Sequence, residues 1–503
     1  MNGTEKTDSV VVAAKSANKG TRVAAEPVER RTEPEGNPGG QSARRTQGRA
    51  SASPAADRIR RFVRREPRER LTALLHHVTV DALRQAFFAL KRDAAAGADG
   101  LTWRMYEDGL DGRLADLHDR VQRGAYRATP SRRVRIPKPD GGTRPLGVAA
   151  IEDKLVQKAV TETILTPIYE AEFLGFSYGF RRGRGAHGAL DALAAGLLRR
   201  KINWVVDCDI RAFFDTVSRD WLVRFLEYRI GDKRVIRLII KWLNAGVMEA
   251  GEWRDNLRGT PQGSVISPVL ANIYLHYVLD LWFQKKWRSH EAKGDTIIVR
   301  YADDFVAGFQ HQRDAERFLA AVKDRFGRFG LELHPDKTRL IEFGRYARAR
   351  RQARGRGRPE TFDFLGLTHY CAEDRGGRFQ LGRKPIAKRM SRTLKRVKEA
   401  LRRRMHHDVE ATAMWLGQVV DGWLNYFAVP TSFRYLRRFV ARLADLWLRM
   451  LGRRSQRDRC GRARVAQLRA AHWPKLEIRH PWPDRRFAVS ALGGATQGRS
   501  RMP

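Results

Sequence analysis

Two adjacent acidic residues, Asp303 and Asp304, lie between two short apolar runs and constrain the local fold more than any other feature of the chain. Residues 297–300 precede the acids and residues 305–309 follow them, and both runs are rich in β-branched or aromatic side chains. Such a pattern predicts a β-hairpin with the acids at its turn. Adjacent carboxylates repel each other, so we expect a cation to share them, although an isolated Asp-Asp pair is more often a solvated loop.

A second acidic strand is predicted at residues 204–209, where Asp207 and Asp209 alternate with apolar residues. Alternate side chains of a strand lie on the same face, so both acids are expected on one face. Ser218 follows as the predicted N-cap of the next helix. Taken singly, each acid could instead be a helix cap or half of an ion pair. Carboxylate oxygens are hard ligands that suit Mg²⁺, and Mg²⁺ in turn binds substrate phosphates.

The charge balance of the chain indicates a polyanionic partner. Among 503 residues, 97 Lys and Arg stand against 56 Asp and Glu, which gives a formal net charge of +41. This excess favours nucleic acid and salt-dependent binding, although a general bias toward Arg would explain part of it. The three cysteines lie far apart and form no metal-binding pair. The sequence contains neither an apolar run long enough for a membrane span nor a secretory signal, so we expect a cytoplasmic protein.

Two basic segments are candidates for phosphate contacts. Residues 134–148 predict a hairpin around an Asp-Gly-Gly turn, and Lys138 and Arg144 on its arms could reach a triphosphate together. A glycine-rich loop at residues 176–187 could approach a phosphate backbone closely. Its cations are Arg181, Arg182 and Arg184. Either segment could instead be an ordinary basic surface loop.

A helix with one cationic side is predicted after Pro385. Apolar residues recur there at helical spacing, and the opposite side carries long cations suited to a phosphate backbone. The residues assigned to this nucleic-acid-binding face are Lys388, Arg392, Lys395, Arg396 and Arg403. The competing interpretation is a solvated surface, but the run has few interspersed acids.

In this order, the motifs resemble those of the reverse transcriptases encoded by group II introns, over about residues 70–450. The Tyr-Ala-Asp-Asp sequence at 301–304 is similar to the metal-binding motif of that family, and Asp209 is similar to its third catalytic aspartate. Residues 259–275 are similar to its nucleotide-pocket block, and Gly-Trp-Leu-Asn-Tyr-Phe at 422–427 resembles part of its maturase domain.

The resemblance implies an α+β right-hand polymerase, with fingers, a palm built on an antiparallel sheet and a helical thumb, followed by a helical maturase domain. The expected divisions are a disordered basic tail at 1–60, fingers at 61–200, palm at 201–375, thumb and maturase helices at 376–452, and a basic extension at 453–503.

The resemblance also implies residue roles. Asp209, Asp303 and Asp304 would be catalytic and would hold two Mg²⁺ ions. The implied nucleotide-binding residues are Lys138, Arg144, Phe214, Gln262 and Lys337. Within this set, Phe214 would exclude a ribose 2′-hydroxyl, and Lys337 would either donate a proton to pyrophosphate or form a structural ion pair. The implied partners are intron RNA, an RNA template with a DNA primer, dNTPs and target DNA, in the bacterial cytosol and without a membrane.

Three residues, Arg182, Gly185 and Ser264, depart from the family pattern, and none removes a catalytic group. No cysteine pair or histidine cluster follows residue 450, so we expect the DNA endonuclease of many relatives to be absent. The implied function is an RNA-directed DNA polymerase that also binds its intron RNA to assist splicing and mobility. Two alternatives stay open: a reverse transcriptase of a retron or defence system, and an RNA-binding splicing cofactor with an idle polymerase.

Overall fold

The computed structural model describes residues 54–137, 142–249, 252–254, 263–453 and 461–485. Helices and mostly antiparallel strands make up these ranges, which confirms the α+β class and is consistent with a right-hand polymerase. Lys138, Gln262 and the side chain of Arg144 lie outside the described residues.

The N-terminal region, up to residue 199, is mostly helical and contains one hairpin. Its elements are α1 (Pro54–Arg65), a 3₁₀ turn (Leu75–His77), α2 (Val80–Phe88), α3 (Trp103–Glu107), α4 (Leu110–Arg123), β1 (Ser131–Pro137), β2 (Thr143–Val148), α5 (Ile151–Val160), a π-segment (Thr161–Leu165), α6 (Thr166–Tyr169) and α7 (Ala186–Arg199). Antiparallel pairing of β1 with β2 confirms the predicted hairpin. Thr79 and Thr102 cap α2 and α3, because each hydroxyl accepts a hydrogen bond from an amide of the first turn.

The predicted tail at 1–60 extends too far, because α1 begins at Pro54. Proline suits a helix start, since its missing N–H would have had no partner there. Ile59 and Val63, four residues apart, are buried on the inner face of α1. This helix packs against α6, so residues 54–60 belong to the folded fingers.

The central region contains the sheet that carries the acids. Its elements are β3 (Trp204–Asp209), α8 (Phe213–Thr216), α9 (Arg219–Glu227), α10 (Lys233–Asn244), β4 (Val247–Glu249), β5 (Glu252–Arg254), α11 (Ser267–Leu275), two π-segments (His276–Asp280 and Phe283–Glu291), β6 (Thr296–Tyr301), β7 (Asp304–Phe309), α12 (Gln312–Arg328) and β8 (Arg339–Glu342). The strand order is β6-β7-β3-β8, with every neighbouring pair antiparallel. Ser218 caps α9 as predicted, since its hydroxyl accepts from the amide of Trp221.

Alternate residues of this sheet enter two different hydrophobic cores. On one face, Cys208 and Phe305 pack with the fingers helices and with α9, α11 and α12. On the other face, Val205 and Val306 pack with α7 and with the C-terminal helices. The acids Asp207 and Asp209 share the face of Val205, so they lie on the side of the sheet covered by α7 and the thumb.

Within the described residues, the C-terminal region adds a three-stranded sheet and five helices. Its elements are α13 (Ala347–Ala353), β9 (Phe362–Phe364), β10 (Leu367–Glu373), β11 (Phe379–Pro385), α14 (Ala387–Arg403), α15 (Val409–Phe427), α16 (Phe433–Leu451) and α17 (Arg462–His472). The expected palm–thumb boundary after residue 375 is wrong, because it falls in the turn of the β10–β11 hairpin and the thumb helices begin only at Ala387. Among the described residues, none of the helices is both long and apolar enough to span a membrane.

Candidate active site

The structure confirms the hairpin at the acid pair. Strand β6 ends at Tyr301, β7 begins at Asp304, and these two residues lie opposite each other in the antiparallel ladder. Ala302 and Asp303, which we call the carboxylate turn, connect the strands. Ala302 has a φ of 59°, in the left-handed region that L-residues rarely adopt. A tight turn with one strained residue therefore carries Asp303 next to Asp304.

The second acidic strand brings Asp209 to the same place. Strand β3 lies beside β7, and Asp209 is directly opposite Asp304 in their register. Directly opposed residues in an antiparallel pair have side chains on the same face, with Cβ atoms about 4.5–5.5 Å apart. Asp207 lies two residues back on that face, opposite Val306. Three carboxylates predicted from two separate motifs thus lie at one end of the sheet, and Asp207 is the next residue along the same face of β3.

The acids at this end of the sheet perturb one another. Burial raises the pKa of Asp304 well above its ordinary value, and the neighbouring charges of Asp207, Asp303 and Asp209 raise it further. Burial also raises the pKa of Asp207 to about 6, against the lowering effect of the Arg339 guanidinium. Negative charge at this position is therefore costly in the protein alone, and a bound cation would relieve that cost.

Lys337 supplies one positive charge to this group of acids. Its Nζ lies 2.6 Å from Oδ2 of Asp209, and its side chain is 62% exposed. The loop that carries it is anchored by the backbone, because the amide of His334 donates to the carbonyl of Asp209. Of the two roles left open by the sequence, the ion pair is the one seen here.

The donor atoms at this site fit a hard divalent cation. Among the described residues, no group of three or more His, Cys, Asp or Glu side chains is arranged so that it could hold a metal ion as it stands. The Asp209 carboxylate points to Lys337 instead. Carboxylate oxygens on adjoining strands are nonetheless the ligands that Mg²⁺ prefers, and a cation would offset the burial and the neighbouring negative charges that raise the pKa of Asp304.

The remaining nucleotide-pocket predictions are only partly placed. Phe214 is half-buried in α8, edge-on to Phe213, five residues after Asp209. Ala212, with a φ of 45°, makes the sharp turn that starts this short helix. Lys138, Gln262 and the side chain of Arg144 lie outside the described residues, so their roles stay predictions.

The three arginines of the glycine-rich loop have different surroundings. Arg181 is buried, and its guanidinium donates to the Glu170 carboxylate and to the carbonyls of Leu174 and Ser177. These bonds hold the loop in place from within the protein. They account for the burial of Arg181, and no contact with nucleic acid is needed to explain it. Arg182 is 56% exposed beside Glu162, and Arg184 donates to the carbonyl of Gly175.

The cations after Pro385 are placed as the sequence predicts. Helix α14 is amphipathic, with Val397 and Leu401 buried against the other C-terminal helices. All five cations assigned to its outer face are exposed, namely Lys388, Arg392, Lys395, Arg396 and Arg403. The face is therefore free of the core and open to a polyanion.

Sequence reasoning missed a buried set of polar residues behind the carboxylate turn. Arg300 of β6 forms a fully buried ion pair with Asp280 and also bonds Asn272 of α11. The sequence did contain an indication of this pair. Arg300 lies in the otherwise apolar run 297–301, and Asp280 lies in the otherwise apolar run 277–282. Buried charges are rare unless they are paired, so each should have prompted a search for the other.

An antiparallel sheet that gathers carboxylates at one end, between helical fingers and a helical thumb, defines the palm of a nucleotidyl-transferring polymerase. A family model described as "Reverse transcriptase (RNA-dependent DNA polymerase)" matches residues 136–369, which include every acid discussed above. Protein YkfC of Escherichia coli is 34% identical over 278 residues, an alignment that covers 48% of this chain and 71% of YkfC.

Two further relatives come from introns. A 91 kDa protein in the cob intron of Schizosaccharomyces pombe is 38% identical over 255 residues, 49% of this chain and 31% of that protein. The group II intron-encoded protein LtrA of Lactococcus lactis is 34% identical over 202 residues, 39% of this chain and 33% of LtrA. This chain belongs to the reverse transcriptase family, among the proteins related to those encoded by group II introns. It aligns with about a third of the length of these two relatives.

Proposed function

We propose that this protein is an RNA-directed DNA polymerase that also binds intron RNA. The observation that carries the polymerase assignment is the register of the palm sheet, in which Asp209 lies opposite Asp304 and next to the turn that holds Asp303. Acids from two distant segments converge there, and the raised pKa values of Asp207 and Asp304 favour a bound cation. A solvated loop would produce neither feature.

In this proposal Asp209, Asp303 and Asp304 hold two Mg²⁺ ions. Bound Mg²⁺ would supply Lewis-acid stabilisation of the attacking and leaving oxygens of an in-line phosphoryl transfer. The carboxylates orient the primer terminus and the triphosphate of a dNTP relative to each other. Lys337, exposed and 2.6 Å from Asp209, would leave its ion pair to contact the pyrophosphate as it forms. Lys138 and Arg144 are proposed to neutralise the same triphosphate, and Gln262 to line the nucleotide pocket.

Phe214 is the proposed selector of the sugar. It is the second residue of the short helix α8, five residues after Asp209, and is only half-buried, so part of its ring is available to a ligand. A rigid aromatic ring beneath the deoxyribose would leave no room for a 2′-hydroxyl. This role separates DNA synthesis from RNA synthesis by sterics alone.

Binding of intron RNA is the second part of the proposal, and the exposed cations of α14 support it. Assistance to splicing and mobility, with target DNA as a further partner, is proposed from the kinship with LtrA, a group II intron-encoded protein. Arg182 and Arg184 are proposed to contact the template strand, whereas the bonds of Arg181 lie within the protein. The proposed location is the bacterial cytosol.

Extension of a DNA primer on an RNA template tests the polymerase directly. Asp303→Asn should abolish incorporation of dNTPs in the presence of Mg²⁺, because an amide binds Mg²⁺ far less well than a carboxylate. The variant should remain folded. Asp336→Asn is the matched control, since it neutralises an exposed acid in the loop next to Lys337. Near-normal synthesis by Asp303→Asn would refute the metal assignment. A wild-type protein that binds RNA but extends no primer would favour the splicing cofactor with an idle polymerase.

A further inference from the structure

A buried ion pair lies directly behind the carboxylate turn. The side chains of Arg300 and Asp280 are both 0% exposed. The guanidinium of Arg300 donates to the carboxylate of Asp280 through two nitrogens, with Nε 2.8 Å from Oδ1 and Nη2 2.5 Å from Oδ2. This two-pronged geometry holds the guanidinium plane in one orientation.

The third nitrogen of Arg300 reaches the turn itself. Nη1 donates to Oδ1 of Asn272 at 2.9 Å and to the carbonyl oxygen of Ala302 at 3.0 Å. That carbonyl belongs to the peptide that joins Ala302 to Asp303, so the bond fixes the plane from which Asp303 projects. The left-handed conformation of Ala302 is disfavoured by roughly 1–2 kcal/mol for an L-residue, and a bond to its carbonyl helps to maintain it.

The same residues also attach the glycine-rich loop to the turn. Nδ2 of Asn272 donates to the carbonyl of Gly179 at 2.7 Å. Gly179 lies so close to the turn that a Cβ at this position would be 2.3 Å from the amide nitrogen of Ala302. The backbone of Arg300 pairs with this loop as well, accepting from the amide of Tyr178 and donating to the carbonyl of Phe176. The carboxylate turn is therefore in contact with the Arg300 side chain and with the backbone of the glycine-rich loop.

A break in helix geometry allows both partners to reach Arg300. Asn272 lies in α11, and Asp280 lies in the π-segment His276–Asp280 that continues it. On an uninterrupted α-helix, residues eight apart are about 80° out of phase at 3.6 residues per turn. The wider turn of a π-segment reduces that offset, and such segments occur often at functional sites. The helix departs from its regular form at the place where Asp280 must face the turn.

Stability alone does not explain this arrangement. Desolvation of two charges offsets most of their attraction, and buried ion pairs can often be replaced by apolar residues without loss of stability. What apolar residues could not supply is the hydrogen bond to the carbonyl of Ala302. The distinctive property of the set is control over the orientation of the turn.

We propose that Asp280, Arg300 and Asn272 form a positioning clamp that fixes the Ala302–Asp303 peptide and thereby sets the affinity of the carboxylates for Mg²⁺. These residues do not touch substrate or metal, so they are positioning residues. The clamp rests on the proposed function in that it assumes a metal at Asp303. Loss of residues that orient metal ligands typically weakens metal binding about 10- to 100-fold, and we expect the clamp to fall in that range.

The test replaces the charged pair by apolar residues of similar size. In the variant Asp280→Leu with Arg300→Met, packing is retained and the bond to Ala302 is lost. The matched control is Asp191→Leu with Arg383→Met, which removes another buried ion pair, in which Asp191 is 3% and Arg383 2% exposed and which joins α7 to β11. The first readout is binding of Mn²⁺, a spectroscopic substitute for Mg²⁺, to each protein without nucleic acid. The second is the Mg²⁺ concentration that half-saturates primer extension.

We expect the clamp variant to bind Mn²⁺ at least about tenfold more weakly than wild type, and the control variant to bind it as wild type does. A folded clamp variant with wild-type affinity would overturn the proposal, as would an equal loss in the control. If the double variant does not fold, Asn272→Ala takes its place, and wild-type metal affinity in that variant overturns the clamp too. Wild-type protein that binds Mn²⁺ but extends no primer would refute the polymerase while the binding comparison still tests the clamp.

Discussion

Neutralising the cationic face of α14 should remove a measurable part of the salt dependence of RNA binding. The five cations, Lys388, Arg392, Lys395, Arg396 and Arg403, are all exposed. At 3.6 residues per turn they fall within an arc of about 100°, and at 1.5 Å per residue they extend over about 22 Å of the helix axis. Val397 and Leu401 are buried on the opposite side. One phosphate backbone could therefore contact all five at once.

The magnitude follows from counterion release. Each phosphate contact contributes about 0.7 to 0.9 to the slope of log affinity against log salt. Five contacts correspond to a slope of about 3.5 to 4.5, which is roughly a 100- to 500-fold loss of affinity between 50 and 200 mM salt. Replacing all five cations by Gln should lower the measured slope by that amount and weaken binding most at low salt.

The assay is filter binding of a group II intron RNA at several salt concentrations. A variant with Gln at Arg345, Arg348, Arg350, Arg356 and Arg358 is the matched control, because it removes five equally exposed charges near α13. Extension of a short primer should persist in the α14 variant, since no carboxylate of the palm has changed. An unchanged slope in this variant, or an equal fall in the control, would refute a localised contact at α14.

The other predictions concern sugar selection and pH. Phe214→Val should raise the incorporation of ribonucleotides relative to deoxyribonucleotides in a competition assay, and unchanged selectivity would show that Phe214 only packs against Phe213. Asp153 is buried in the fingers, where its carboxylate accepts from the hydroxyl of Tyr126 and the amide of Thr129. Burial raises its pKa from 3.8 to about 6. A raised folded-state pKa means that stability falls as the pH rises from about 4 through 6, by up to about 3 kcal/mol. Asp153→Asn should remove that fall in urea unfolding measured from pH 4 to 8, and an unchanged pH dependence would contradict this account.

The sequence by itself determined the features that depend on local patterns. The hairpin at 301–304 follows from two β-branched or aromatic runs around a polar step, and its turn lies where predicted. Alternation along 204–209 placed Asp207 and Asp209 on one face, and Ser218 caps α9 because its hydroxyl competes locally for a first-turn amide. The exposed cations of α14 follow from a 3.6-residue period. Each of these needs only neighbouring residues.

The resemblance to a family predicted which distant residues meet, which the periodicity of local segments could not do. No local rule says that Asp209 should meet Asp304, which is 95 residues further along the chain by residue number. The motifs carried that expectation, and the sheet register agrees with it. The same source could not place the start of α1 or the β10–β11 hairpin, because element boundaries depend on which side chains find a core to enter.

Tertiary structure alone decided where the buried charges go. Arg181 looked like a phosphate ligand in a basic loop, but the Glu170 carboxylate and two backbone carbonyls within the protein accept hydrogen bonds from its guanidinium. No role was predicted for Arg300 from the sequence, yet it lies at the centre of the contacts behind the carboxylate turn. The physical reason is the same for both. A charge can be buried only where the fold supplies its partner, and partners from distant segments leave no periodic trace in the sequence.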